Sequence, residues 1–176
     1  MTITARDAGG NPVAGASVAV TATGGGNTIS APTPTNSSGV TTVSFGSTQA
    51  GAHVISATIN STAIADNATV TVVAGDAASL TFTVQPTSTQ ANQTISPVVV
   101  SVEDQFGNPA SGTIVMSLLP PFLGSGTLDG TLSVAASDGK ATFSDLSVDA
   151  AALLPYQLVA TLGGLTATSS GFLVTP

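Results

Sequence analysis

Nine acids, two bases, one histidine and one tyrosine are all the ionisable side-chain chemistry this sequence offers, and it has no cysteine. Four of the acids, Asp7, Asp76, Glu103 and Asp104, sit in stretches rich in Gly, Asn and Pro or Ala. Carboxylates so placed suit calcium, a hard cation that takes about six to eight oxygen ligands. Neither an Asp-x-Asp ladder nor an EF-hand loop accompanies them. The competing use of the same carboxylates is to cap turns by accepting backbone amides. A melting shift in millimolar calcium separates the two. Glu103 and Asp104 are neighbours in one extended stretch, so their side chains point to opposite faces and do not cooperate directly. Nucleophilic catalysis needs a base beside a Ser or Thr, and His53 is the one imidazole on offer. No P-loop, zinc spacing or Ser-His-Asp set is present. The expectation is a protein with no catalytic residue and no cofactor, calcium being the single metal candidate.

Charge and composition narrow the partners. The formal charge is −7, and the only cations are Arg6 and Lys140. Two bases do not build the basic patch that nucleic acid or anionic lipid requires. Mean hydropathy is positive, at +0.45. Ser, Thr, Gly or Pro nonetheless interrupts every apolar run before the ~18 residues of a spanning helix, so membrane insertion is not expected. "MTITARD" lacks the basic and apolar regions of a signal peptide. An export signal, if there is one, is expected upstream. Four Asn-x-Ser/Thr triplets, at Asn36, Asn60, Asn67 and Asn92, are as frequent as chance allows in a chain this rich in Ser and Thr.

The elements that must position these residues are strands. Alternating segments broken by Gly, Pro, Asn and Asp run throughout, with no helical period. Strands are expected at 2–7, 16–23, 39–45, 52–59 and 67–74, and again at 79–85, 96–104, 113–119, 130–136, 140–148, 155–162 and 168–175. "RDAGGNPVAG" (6–15) returns as "EDQFGNPASG" (103–112), "SSGVTTVSF" (37–45) is paralleled by "SDGKATFSD" (137–145), and "AHVISATI" by "PYQLVATL". A corner built twice explains the first pair: an acid ends a strand, Gly10 or Gly107 takes positive φ, and Pro12 or Pro109 turns the chain away. About seven short strands per roughly 100 residues is the complement of an immunoglobulin-like sandwich. Tyr156 then falls where that fold places a tyrosine corner, and His53 is expected to fill the same slot in the first copy. The expected fold is all-β, two tandem immunoglobulin-like β-sandwich domains. Residues 1–75 form one lacking its first strand, and 76–176 a complete one, joined through "AGDAAS" (74–79).

"TARDAGGNPVAGASVAVTATGGG…NSSGVTTVSFGSTQAGAHVISATIN…ATVTVV" resembles the bacterial immunoglobulin-like domains of the invasin and intimin group. The second copy is similar to a related bacterial surface repeat. The resemblance implies tandem modules in a long extracellular protein of the bacterial cell surface, where repeats form a stalk and a separate tip binds. Its implied function is a stalk or spacer of a cell-surface or secreted adhesin-like protein, with neighbouring repeats as partners. The alternative is a structural subunit of a phage virion or extracellular filament, with virion proteins as partners. A third reading, a carbohydrate-binding module, is weakened by the lack of tryptophan.

Four finer expectations follow from the pattern. Core positions are Val18, Val20, Val43, Phe45, Ile55, Ile59, Val70 and Val72 in the first copy. In the second they are Leu80, Phe82, Val98, Val100, Val102, Phe143, Leu146, Tyr156, Leu158 and Phe172. Alternation puts Ile114, Met116 and Leu118 inside, whereas a gap-free match of the two corners puts Val115, Ser117 and Leu119 there. A one-residue slip decides between them. Leu119, Phe122 and Leu123, beside two prolines, either lid the sandwich or form a contact patch for another module. Finally, the first copy starts only five residues before Asp7. One edge strand is therefore expected to be missing from it, with the natural polypeptide continuing upstream and the first copy the less stable.

Overall fold

The computed structural model describes every residue except Leu123, and the chain divides into two compact units, Met1–Val73 and Ala74–Pro176. All regular structure among the described residues is strand. Unit 1 contains β1 (Thr2–Thr4), β2 (Val18–Ala22), β3 (Asn27–Ile29), β4 (Val40–Thr42), β5 (Phe45–Ser47), β6 (Gly51–Ile59), β7 (Thr62–Ala63) and β8 (Ala68–Val72). Unit 2 contains β9 (Ser79–Val84), β10 (Thr89–Gln90), β11 (Val98–Glu103), β12 (Thr113–Leu119), β13 (Leu128–Asp129), β14 (Ser133–Ala135), β15 (Lys140–Phe143), β16 (Ser147–Val148), β17 (Gln157–Leu162), β18 (Leu165–Thr168) and β19 (Val174–Thr175).

In unit 2 one layer is β15-β11-β9 and the other β14-β12-β17-β18, all antiparallel. The β-branched run of β11 sends Val98, Val100 and Val102 inward, where all three are fully buried. They meet Ile114, Met116 and Leu158 of the other layer in one core, closed by Phe143, Tyr156 and Phe172. A short parallel pair, β10 with β19, seals the edge. Unit 1 repeats the plan with less material. β1 pairs β4, and β6 carries β2 on one side with β7 and β8 on the other. Its core is Ile3, Val18, Val43 and Ala57.

Several expected positions differ. Ile55 is buried, but Val20, Phe45, Ile59, Val70 and Val72 of unit 1 are only half-buried, as is Leu80 of unit 2. Small residues replace them inside unit 1: Ala5, Ala16 and Ala57 are buried. Ile95 and Val148, both buried in unit 2, went unnamed because each lies outside a clean alternation. The register follows the hydrophobic pattern. Ile114 and Met116 are buried, Leu118 is half-buried, and Val115 is 47% exposed. Val20 faces Ala57 across the ladder as Met116 faces Ala160. Unit 2 is therefore one residue shorter between its corner and this strand, and that deletion defeats the gap-free match.

Candidate functional site

The repeated corner is where most of the interacting charge sits. In unit 1 the Asp7 carboxylate accepts the amides of Gly9 at 2.9 Å and Asn11 at 2.8 Å, and the Asn11 side-chain amide at 3.1 Å. The backbone closes on itself, Asp7 N–H to Asn11 O and Gly10 N–H to Asp7 O, each at 2.9 Å. In unit 2 the Asp104 carboxylate accepts the amides of Phe106 at 2.8 Å and Asn108 at 2.9 Å, and the Asn108 side-chain amide at 2.9 Å. The same two backbone bonds recur, Asp104 N–H to Asn108 O and Gly107 N–H to Asp104 O. Gly10 and Gly107 hold φ of 82° and 81°, where an L side chain is strained. The Asn11 and Asn108 side-chain amides are the leading cause that holds the Asp7 and Asp104 carboxyls below the usual range, and for Asp104 the backbone amide of Gly75 adds to it. Asp104 goes further than Asp7: its second oxygen takes the Gly75 amide at 2.9 Å, tying the first residues of unit 2 to the end of β11.

A second glycine locks each corner to its sheet. Gly39 and Gly139 have φ of 71° and 70°. A Cβ on Gly39 would collide with the carbonyl of Ala5, and one on Gly139 would come within 2.9 Å of the Val102 carbonyl. The bonding is the same in both: Ala5 N–H to Gly39 O and Val102 N–H to Gly139 O, each at 2.7 Å.

The aromatic slot also repeats, with different chemistry. Tyr156 is fully buried and donates its hydroxyl to Ala150 O at 3.0 Å, back along the chain. Burial and then the Asp149 charge push its phenol above the usual value. His53, 2% exposed, takes the equivalent place, its Nδ1 2.8 Å from Thr23 O and Nε2 2.9 Å from Gln49 O. Both partners are acceptors, so a neutral ring donates to one of them. His53 faces Val70 as Tyr156 faces Phe172. The ring in each unit rests over a glycine, Gly24 or Gly126, whose Cβ would approach within 2.8 or 2.9 Å. Neither glycine lies in the internally repeated stretches, so the repeats gave no hint of them.

The calcium candidates separate into different jobs. Asp7 and Asp104 spend their oxygens on amides, while Asp76 and Glu103 are exposed. Among the described residues no group of three or more His, Asp or Glu side chains is placed to hold a metal. Asp145 is a further turn cap: Thr131 donates its hydroxyl at 2.7 Å and its amide at 2.9 Å, lowering the carboxyl pKa.

The contact-patch residues lie at the surface. Phe122 is 89% exposed and Leu119 47%, so neither side chain lids the core; Leu123 lies outside the described residues. Leu153, fully exposed, with Leu154 and Leu173 extends the apolar surface; the sequence signal for it is "LLP" at 153–155, which repeats the start of "LLPPF". Pro121 and Gly124 line a recess of about 400 Å³ with Ala151–Leu154. No helix among the described residues is long and apolar enough to cross a membrane, which leaves β-barrels unaddressed.

This geometry has known parallels. Residues 1–73 match the family model of the bacterial Ig-like domain (group 1). Among solved structures, the Escherichia coli adhesin FdeC aligns over 99% of this chain and 58% of its own, at 23% identity and a TM-score of 0.53. Yersinia pseudotuberculosis InvD aligns over 98% of this chain and 62% of its own, at 20% identity and a TM-score of 0.54. The chain thus spans about three-fifths of the solved chains it resembles. No curated protein matches it by sequence. Residues 1–73 thus match the bacterial Ig-like domain (group 1), and the whole chain is an all-β protein that shares the fold of these two solved structures.

Proposed function

We propose that the chain is a non-catalytic stalk or spacer segment of a bacterial cell-surface or secreted adhesin-like protein, working outside the cell. The match of residues 1–73 to the bacterial Ig-like domain carries this reading. The reuse of one corner, one glycine lock and one aromatic slot in unit 2 supports it, since a spacer is lengthened by copying a module rather than by building a site. Function in such folds lies in sites added to the scaffold, and Asp7, Asp104, Asp145, His53 and Tyr156 are occupied with turns and strand ends. Asp104 fits the mechanical role directly, because it clamps both its own corner and the incoming segment at Gly75.

The partners proposed are neighbouring repeats of the same polypeptide, with no nucleic acid and no membrane insertion. The exposed apolar side chains of Leu119, Phe122, Leu153 and Leu173 are proposed as contacts with an adjoining module. Asp7, Asp104 and Asp145 are assigned to turn capping rather than to calcium. Antibodies raised against the chain should label intact cells of the source bacterium as strongly as permeabilised ones. Labelling confined to permeabilised cells would overturn the assignment.

A further inference from the structure

Unit 2 departs from the shared plan in two loops that meet at one end of its sandwich. In unit 1, residues 23–26 join β2 to β3, and residues 48–52 lead from β5 to His53. In unit 2, residues 120–127 join β12 to β13, and residues 149–155 lead from β16 to Tyr156. The short loops of unit 1 close on each other through polar groups: the Gly25 amide donates to Gln49 Oε1, and Ser47 Oγ donates to the Gly25 carbonyl. The longer loops of unit 2 are tied together only at their base. There the Thr127 amide donates to the Asp149 carboxylate at 2.7 Å, and Gly126 lies under the Tyr156 ring. Within the loops, the Gly124 amide closes on Pro121 O at 2.9 Å, and that of Ala152 on Val174 O at 3.0 Å.

What this base supports is apolar. Phe122 and Leu153 stand almost wholly in solvent, and Leu119 and Leu154 are also exposed. Beside them lies the recess walled by Pro121, Gly124 and Ala151–Leu154. Phe122 does not fill it, although it sits in the chain between two of the walls. Residues 105–128 and 150–176 contain no charged side chain, and Asp149 is occupied by Thr127. Loops added to a shared scaffold are where such folds place recognition. Held at the base, these two present their side chains without first having to be ordered.

The geometry points to a homotypic contact: this end of unit 2 meets the same end of a second copy of the chain, each Phe122 ring seating in the other copy's recess. A twofold contact needs a projecting group and a matching hollow on one face, and both are present here. At about 400 Å³ the recess is large enough for an aromatic ring. A partner with a charged face would have to desolvate that charge against a surface offering no counter-charge. The same end of a second copy brings none. The inference rests on reading these side chains as a contact surface, and it makes the module they meet unit 2 of a neighbouring chain.

Sedimentation equilibrium of the full chain tests it. A monomer–dimer equilibrium is expected, with a dissociation constant on the order of 100 µM, the strength of a small transient interface. Raising salt from ~50 mM to ~500 mM should tighten it, because screening weakens the repulsion between two chains of charge −7 and leaves an apolar contact intact. Phe122→Asp removes the projecting ring, and Ala151→Trp fills the recess from an exposed position. Each should weaken pairing at least about tenfold. At ~1 µM, far below the dissociation constant, both variants should melt with the parent chain. Phe106→Asp, at the exposed ring of the Gly-Asn-Pro corner, should pair as the parent does.

A chain that is still monomeric at ~1 mM would overturn the contact. Pairing that survives both loop variants would do the same, and so would association that grows past the dimer, since a twofold contact closes on itself. A monomer that instead sediments with phosphatidylcholine vesicles through Phe122 would give this end to lipid. None of these results bears on the labelling of intact cells, so the inference fails separately from the spacer assignment.

Discussion

Asp104 gathers four donors on one carboxylate, and the consequence is a dependence on acid. A carboxyl whose folded pKa lies below the unfolded value contributes stability that is complete above the unfolded pKa and lost as pH falls through the folded one. Asp104, Asp7 and Asp145 all lie on that side of the reference value of 3.8. The melting temperature should therefore be flat from neutral pH to about pH 5 and fall steadily below about pH 4. Asp104→Asn should lower melting at pH 7 and flatten the acid slope, read by calorimetry across a pH series. The glycines permit a sharper comparison. Gly10→Ala meets no neighbour and only the cost of positive φ, about 1 kcal/mol. Gly39→Ala adds a collision with the Ala5 carbonyl and should cost about 3 kcal/mol by denaturant titration. Tyr156→Phe leaves the Ala150 carbonyl without its donor and should cost about 1–2 kcal/mol.

At the scale of elements, what the sequence made legible was what repeats or alternates. The Gly-Asn-Pro corners, the tyrosine slot and the long strands β6, β11, β12 and β17 fell where pattern and turn chemistry put them. The two-residue strands β7, β10 and β13 did not, because a pair of residues carries no period; β10, for instance, is set by its parallel pairing with β19. Core depth in unit 1 was misjudged for a different reason. Val70 and Val72 alternate correctly, but alternation says which face a residue takes and not whether anything covers that face. For β12 the physical test is direct. Met116→Asp buries an unpaired charge and should destabilise by about 4 kcal/mol or more. Val115→Asp, on the opposite face, should cost under about 1 kcal/mol. The candidate site was only partly readable: the acids were found, but their division into caps and free carboxylates depends on amides from residues such as Gly75, 29 positions away from Asp104. Phe122→Asp should leave the melting temperature unchanged within about 1 °C, as expected of an exposed side chain.

For the whole molecule, the central claim is mechanical: two copies of one module, each holding its own fold while the chain is under load. Single-molecule extension between the termini tests it most directly. The account predicts two separate unfolding events. Their length gains approach about 260 Å for Met1–Val73 and about 370 Å for Ala74–Pro176, less each unit's folded span. The smaller gain should come first, because unit 1 has the thinner core. A single event releasing both lengths together would contradict the account, since the chain would then be one cooperative body rather than a spacer assembled from modules.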